Sequence, residues 1–335
     1  MALHQWGNGQ NEWLRGQNNP WREFLDAGQI RHCCSTRYGN RPAAMKLGFA
    51  GLGLMGLPMA FNLIRAGVPL AAYNRSRGPR EALKQLGART FDDAAGFFEA
   101  CDTVFLMLAD DCATDEVLGR GTTQFARRVQ GKLIVNMGTH APAWSMALET
   151  ELVAAGARFV EAPVSGSRGP AEAGELVAML AGDPSGIEQV RPLLEHLCRE
   201  TVTTGAVPSA MACKIAVNLY LIASVAALAE ATALANKLGL DRSVFAHVIG
   251  HGPLGSDVAR AKLAKMISRN FAAEASIRDV CKNAGLVADA AATAKLDAQV
   301  LGSARWLFDG LLHSGGGELD MAGVITAWDG EGLEP

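Results

Sequence analysis

From Met45 onward the chain alternates short apolar runs with longer stretches of helical spacing. The run KLGFAGLG (46–53) is apolar and closed by glycine, which predicts a buried strand. Helical spacing follows from Pro58 to Ala66. Pro58 suits a first turn, where a missing N–H breaks no hydrogen bond, and Gly67 closes the segment. LAAYN (70–74) predicts a second strand, and 79–86 a second helix ending at Gly87. TVFLML (103–108), KLIVNM (132–137), ARFVEAP (157–163), LVAMLAG (176–182) and TVTTG (201–205) carry the alternation on. Strands alternating with helices predict an α/β fold of Rossmann type, a doubly wound parallel sheet.

The pattern changes at Pro208. Ser209 to Gly239 reads as one long helix, rich in Ala and Leu, with no Pro and no internal Gly. Helical segments follow at 241–250, 256–267, 273–293 and 295–312, and no strand-like alternation returns. The expected organisation is a Rossmann domain over 45–207 and an all-helical domain for substrate and dimerisation over 208–335. Residues 1–44 stand apart. They hold three of the six tryptophans (Trp6, Trp13, Trp21) and show no sustained apolar period. They lack the apolar core of a secretion signal, and Glu12, Glu23 and Asp26 argue against a transit peptide. A poorly ordered extension, or a start placed upstream of Met45, is the expectation; the cysteines, read as reduced thiols, make the cytoplasm the expected compartment.

Composition narrows the partners. The chain of 335 residues is 49% hydrophobic and 19% charged, ordinary for a globular protein, and its net charge of −3 argues against nucleic acid. Seven scattered cysteines form no C-x-x-C pair, so neither a zinc site nor a disulfide framework is expected. The most apolar stretch, Ile215 to Ala229, contains Asn218 and ends at Glu230. It falls short of the roughly 20 residues a bilayer needs, so a buried helix and no membrane partner are expected. The Ala- and Leu-rich helical stretches carry more apolar surface than one layer of helices buries, which predicts a homo-oligomer, dimer or tetramer.

Gly51, Gly53 and Gly56 have the spacing G-x-G-x-x-G, with a strand before them and a helix after. Gly51 allows a tight turn, Gly53 lets backbone N–H groups approach a pyrophosphate, and Gly56 lets helix and strand pack closely. The second strand ends at Asn74, where an NAD site usually carries an acid for the ribose 2′-hydroxyl. Arg75, Ser76, Arg77 and then Arg80 follow instead. Arginines and a hydroxyl would bind a 2′-phosphate that a carboxylate would repel, so NADP(H) is favoured over NAD(H). Ser165, Gly166 and Ser167 follow a strand end and form a suitable cradle for a substrate carboxylate.

GFAGLGLMGLPMAFNL (48–63), EAPVSGSRGPAEAGEL (161–176) and the K-x-x-x-N of Lys214 and Asn218 resemble the β-hydroxyacid dehydrogenase family. This is the group of 3-hydroxyisobutyrate dehydrogenase and 6-phosphogluconate dehydrogenase, and the resemblance runs from about Met45 to about Asp329. NRS (74–76) together with VSGS (164–167) looks most like the glyoxylate and succinic semialdehyde reductase branch. The resemblance implies an NADP(H)-dependent oxidoreductase interconverting a small carboxylate-bearing aldehyde or ketone and its hydroxyacid. It implies that Lys214 is the general acid and base and that Asn218, one turn along, assists it. Leu54, Met55, Met107, Leu108 and Thr139 join the glycines as expected cofactor contacts. Phe271 and Asp279 match substrate-site positions of the family, and Arg278 stands where its lysine is usual.

Other positions also depart from the family pattern. Ala109 stands where proline is common, Gly138 where a small hydroxyl residue is usual, and His140 is unexpected beside the nicotinamide. A solvent-facing loop histidine is the reading favoured for His140. Two other functions compete. An imine reductase-like enzyme usually replaces the lysine that Lys214 retains, and a catalytically silent NADP-binding protein would have no need of the Lys214–Asn218 pair.

Overall fold

Six parallel strands form the body of one sheet: β1 (Leu47–Ala50), β2 (Leu70–Tyr73), β3 (Arg89–Phe91), β4 (Thr103–Leu106), β5 (Leu133–Asn136) and β6 (Arg158–Glu161). Their spatial order is 3-2-1-4-5-6, the doubly wound order with its switch point between β1 and β4. The protein is known here as a computed structural model that describes residues 46–329. The extension expected over residues 1–44 lies outside the described residues. The central strands β1, β4 and β5 are buried along their whole length and apolar but for Thr103 and Asn136, because both faces are covered. One face packs on α1 (Gly56–Arg65) through Leu57, Met59, Ala60 and Leu63. The other packs on α3 (Ala94–Glu99), α4 (Asp111–Leu118) and α6 (Pro142–Ala154) through Phe97, Phe98, Leu118, Leu148 and Leu152. Between these run α2 (Arg77–Gln85) and α5 (Gln124–Val129).

The far edge departs from a wholly parallel sheet. Beyond β6 come β7 (Val164–Ser165), α7 (Arg168–Ala173), β8 (Leu176–Gly182), α8 (Pro184–Leu194) and β9 (Cys198–Gly205). β8 runs antiparallel to both β6 and β7 and parallel to β9. The link 166–175 between β7 and β8 is shorter than a parallel crossover requires, so the chain doubles back.

From Ser209 the described chain is helical: α9 (Ser209–Lys237), α10 (Arg242–His251), α11 (Asp257–Ser268), α12 (Ile277–Thr293) and α13 (Gln299–His313), then 3₁₀ turns at Gly316–Glu318 and Met321–Trp328. By length and composition α9 is long enough to cross a membrane. Its apolar residues have another use, since Ile215, Ile222, Val225, Ala226 and Ala229 form the core of the helical part with α12, α13 and the last 3₁₀ turn.

Two helices begin later than their spacing predicts. α12 starts at Ile277 instead of 273, because the preceding segment is an extended strap held by Asp320. The Asp320 carboxylate is fully buried, accepts from the N–H groups of Glu274 (2.9 Å) and Ala275 (3.2 Å), and pairs with Lys262 at 2.9 Å. Ser276 then caps α12 by accepting from the Asp279 N–H. α13 starts at Gln299 instead of 295, because Lys295 adopts a left-handed φ of 58°.

Candidate active site

The C-terminal ends of β1, β4 and β5 open into a cavity of about 250 Å³ whose other wall is α9, α12 and the 274–275 strap. Ligands of open α/β sheets bind at this switch point. The glycine loop forms its floor. Gly51 has a φ of 96°, and a Cβ there would lie 2.1 Å from the carbonyl oxygen of Met107. A Cβ on Gly56 would lie 1.9 Å from the Gly51 carbonyl, so only glycine lets α1 pack this closely. Gly53 faces open space. α1 has no side-chain N-cap, and among the described residues the N–H groups of Leu54 and Met55 have no acceptor. Unused N–H groups at a helix N-terminus suit a pyrophosphate. Leu54, Met55, Met107, Leu108 and Thr139 line the same cavity.

At the end of β2, Asn74 has a structural task, since its Oδ1 accepts from the Leu52 N–H at 3.0 Å and braces the glycine turn. Arg75, Ser76 and Arg77 are exposed. Arg77 lies 3.6 Å from Glu81, while Arg75 has no ion pair among the described residues. Arg80 is used elsewhere, donating to the Phe91 carbonyl at 2.9 Å and so joining α2 to β3.

Lys214 and Asn218 lie in the first turns of α9 and face the cavity together. Lys214 is 7% exposed and has no hydrogen bond or ion pair among the described residues. Burial, and then the charge of Lys282 nearby, bring its pKa down to about 8. Asn218 Nδ2 is buried without a partner. An amine that titrates near neutrality beside an unused amide donor can serve a carbonyl oxygen and its hydroxyl product.

The substrate-end residues divide. Gly166, Ser167 and Asp279 line the cavity. A Cβ on Gly166 would lie 2.6 Å from Leu176 Cδ2, and Ser167 Oγ donates to Glu274 Oε2 at 3.4 Å. Three expected residues do not line it. Ser165 is held in the β7–β8 ladder opposite Val177. Phe271 packs on the helical core beneath the Arg269 guanidinium. Arg278 is 64% exposed and pairs with Glu318 at 2.9 Å. The cation that α12 does bring to the cavity is Lys282, with Asn283 beside it. Neither was anticipated; the signal was their spacing of three and four residues from Asp279, which puts all three on one helix side.

His140 is not a solvent-facing loop residue. It is fully buried, its Nδ1 lies 2.5 Å from Asp111 Oδ1, and its ring stacks on Trp144 at 4.2 Å. Its Nε2 has no partner. A Cβ on Gly138 would lie 2.6 Å from that nitrogen. The two unusual residues are therefore one feature: the imidazole occupies the room that a side chain at 138 would need.

Two family models match consecutive stretches of the chain. The NAD binding domain of 6-phosphogluconate dehydrogenase matches residues 46–205, and the NAD-binding domain of NADP-dependent 3-hydroxyisobutyrate dehydrogenase matches 209–328. The chloroplastic glyoxylate/succinic semialdehyde reductase 2 of Arabidopsis thaliana is 31% identical, over 84% of this chain and 79% of its own. The 2-hydroxy-3-oxopropionate reductase of Escherichia coli is also 31% identical, over 84% of this chain and 97% of its own. Among solved structures, Psf3 in complex with NADP+ and 2-OPP superposes with a TM-score of 0.78 at 26% identity, covering 84% of this chain and 99% of that one.

The coupling of positions 138 and 140 is testable by a double-mutant cycle in urea. Gly138→Ser should destabilise by about 1–3 kcal/mol through overpacking. In a His140→Ala background the same substitution should cost far less. Additive effects would show that the two positions do not share the space.

Proposed function

Because the chain belongs to the β-hydroxyacid dehydrogenase family of NAD(P)-dependent oxidoreductases, we propose that it interconverts a small carboxylate-bearing aldehyde or ketone and its hydroxyacid, with NADP(H) as coenzyme and Lys214 as the proton donor and acceptor. The observation that carries this reading is Lys214 itself, an ammonium buried in the cavity with no acid paired to it. Bound NADPH would supply the hydride to the carbonyl carbon. Lys214 Nζ then gives its proton to the carbonyl oxygen, and the product is a hydroxyl. In the reverse direction the neutral amine takes the hydroxyl proton. A pKa of about 8 leaves both forms accessible near neutrality. Asn218 Nδ2, buried without a partner, would donate to the same oxygen.

The substrate carboxylate belongs beside Gly166 and Ser167, in a cavity that also carries Lys214 and Lys282. The relatives support this class, since the substrates in their names are small carbonyl compounds with a carboxylate. The coenzyme preference rests on Arg75, Ser76 and Arg77 at the end of β2, where no acid stands. A solved relative with NADP+ agrees with it.

The protein is further proposed to be a homo-oligomer. α10 has no buried residue, and Val244, Val248, Leu238, Leu240 and Leu254 around it are all more than half exposed. A second copy of this apolar surface is the natural cover.

Lys214→Ala should lower kcat and kcat/KM together by about 10²–10⁴-fold, roughly 3–5 kcal/mol, with Lys214→Arg giving no rescue. An increase in KM alone would reduce the lysine to a carboxylate anchor. Arg75→Asp should depress kcat/KM with NADPH far more than with NADH, and equal losses would contradict the coenzyme assignment. Sedimentation at micromolar concentration should find a dimer or larger, and monomer alone would refute the oligomer.

A further inference from the structure

Lys282 is an ammonium to which the proposed reaction assigns no step. It projects from α12 across the cavity and donates to the carbonyls of Ala109 (2.6 Å) and Thr139 (3.3 Å), at the C-terminal ends of β4 and β5. The helical wall is thus fastened to the two loops that flank the cofactor end of the cavity. Lys214 lines the same space from α9. Neither lysine has a carboxylate within ion-pair distance among the described residues.

We propose that Lys282 is a positioning residue for proton transfer: fixed on the two loop carbonyls, its charge opposes the charge of Lys214 across the cavity and keeps a usable fraction of that amine neutral. The inference rests on the reading of Lys214 as the proton donor and acceptor.

The surrounding groups differ between the two lysines. Lys282 is depressed by burial, but Asp279 on its own helix and Asp110 and Asp111 at the start of α4 support its charge. Lys214 has burial and Lys282 against its charge, and only Cys213 on its own helix in favour. The other ionisable groups around the cavity are committed. Glu274 pairs with Lys265 at 3.2 Å, Glu161 holds Ser145 and the Met211 N–H, and His140 is turned to Asp111. Burial weighs most against the Lys214 ammonium and the charge of Lys282 adds to it, whereas Asp279, Asp110 and Asp111 give the Lys282 ammonium a support that Lys214 lacks.

The test uses the full chain with Lys282→Gln, which keeps an N–H donor for the carbonyls but removes the charge, and Lys282→Arg, which keeps the charge. The titration of Lys214 is read directly, from the pH dependence of its acetylation by acetic anhydride followed by mass spectrometry. Lys282→Gln should raise the midpoint by about half a unit to one unit, and Lys282→Arg should leave it in place. Oxidation of hydroxyacid at pH 7 should then slow roughly three- to tenfold in Lys282→Gln, with reduction little changed. An unmoved midpoint, or equal loss in both directions, overturns the inference even where Lys214→Ala is inactive. A moved midpoint with a fully active Lys214→Ala enzyme instead overturns the proton-transfer reading beneath it.

Discussion

The buried carboxylate of Glu161 joins the sheet to the helix that carries the proposed chemistry. It stands at the C-terminal end of β6, fully buried, and accepts from the Ser145 hydroxyl and from the Met211 N–H, with Ala210 N–H also contributing. α9 begins at Ser209 behind Pro208, which offers no side-chain cap, so this carboxylate serves its free N–H groups from a neighbouring strand. Burial pushes the Glu161 carboxyl up from its ordinary value, and the hydroxyl and N–H donors pull it back. Lys214 follows one turn after Met211, and its place over the ends of β4 and β5 depends on this anchor.

The same economy governs the other charges. Asp320 is spent on Lys262 and the 274–275 strap, Glu274 on Lys265, and Asp279 accepts from the Ser276 hydroxyl. Acids near the cavity are held by structural partners, while Lys214 and Lys282 have no ion-pair partner. A cavity with two under-compensated ammonium groups favours an anion, and in the proposed reaction a substrate carboxylate would be that anion. Burial, and then repulsion by Lys282, hold Lys214 close to its titration point.

Local requirements of the backbone were legible in the chain. The three glycines stand where a Cβ would collide or where a ligand must approach, and alternating apolar runs mark the doubly wound sheet, though not its edge strand β3, which is short and half-exposed. Lys214 and Asn218 were legible because a lysine and an asparagine inside an apolar helix need a reason. What escaped depends on contacts distant in sequence. The strap at 270–276 is set by Asp320, some 45 residues away, and so the start of α12 moved from 273 to 277. That segment had directed attention to Phe271, Arg278 and Asp279; of these the cavity receives Asp279 alone, joined by Lys282 and Asn283. Gly138 and His140 each read as an oddity, and only their shared volume makes them one feature.

The central claim is that one amine, Lys214, gives a proton in one direction and takes it in the other. Single-turnover hydride transfer measured from pH 6 to pH 10 in both directions tests it most directly. Reduction should be fast where Lys214 is protonated and fall as pH rises through about 8; oxidation should be slow at low pH and rise through the same value. Limbs of opposite sign sharing one midpoint are the predicted result. Limbs of the same sign, or no titration near that midpoint in either direction, would contradict it.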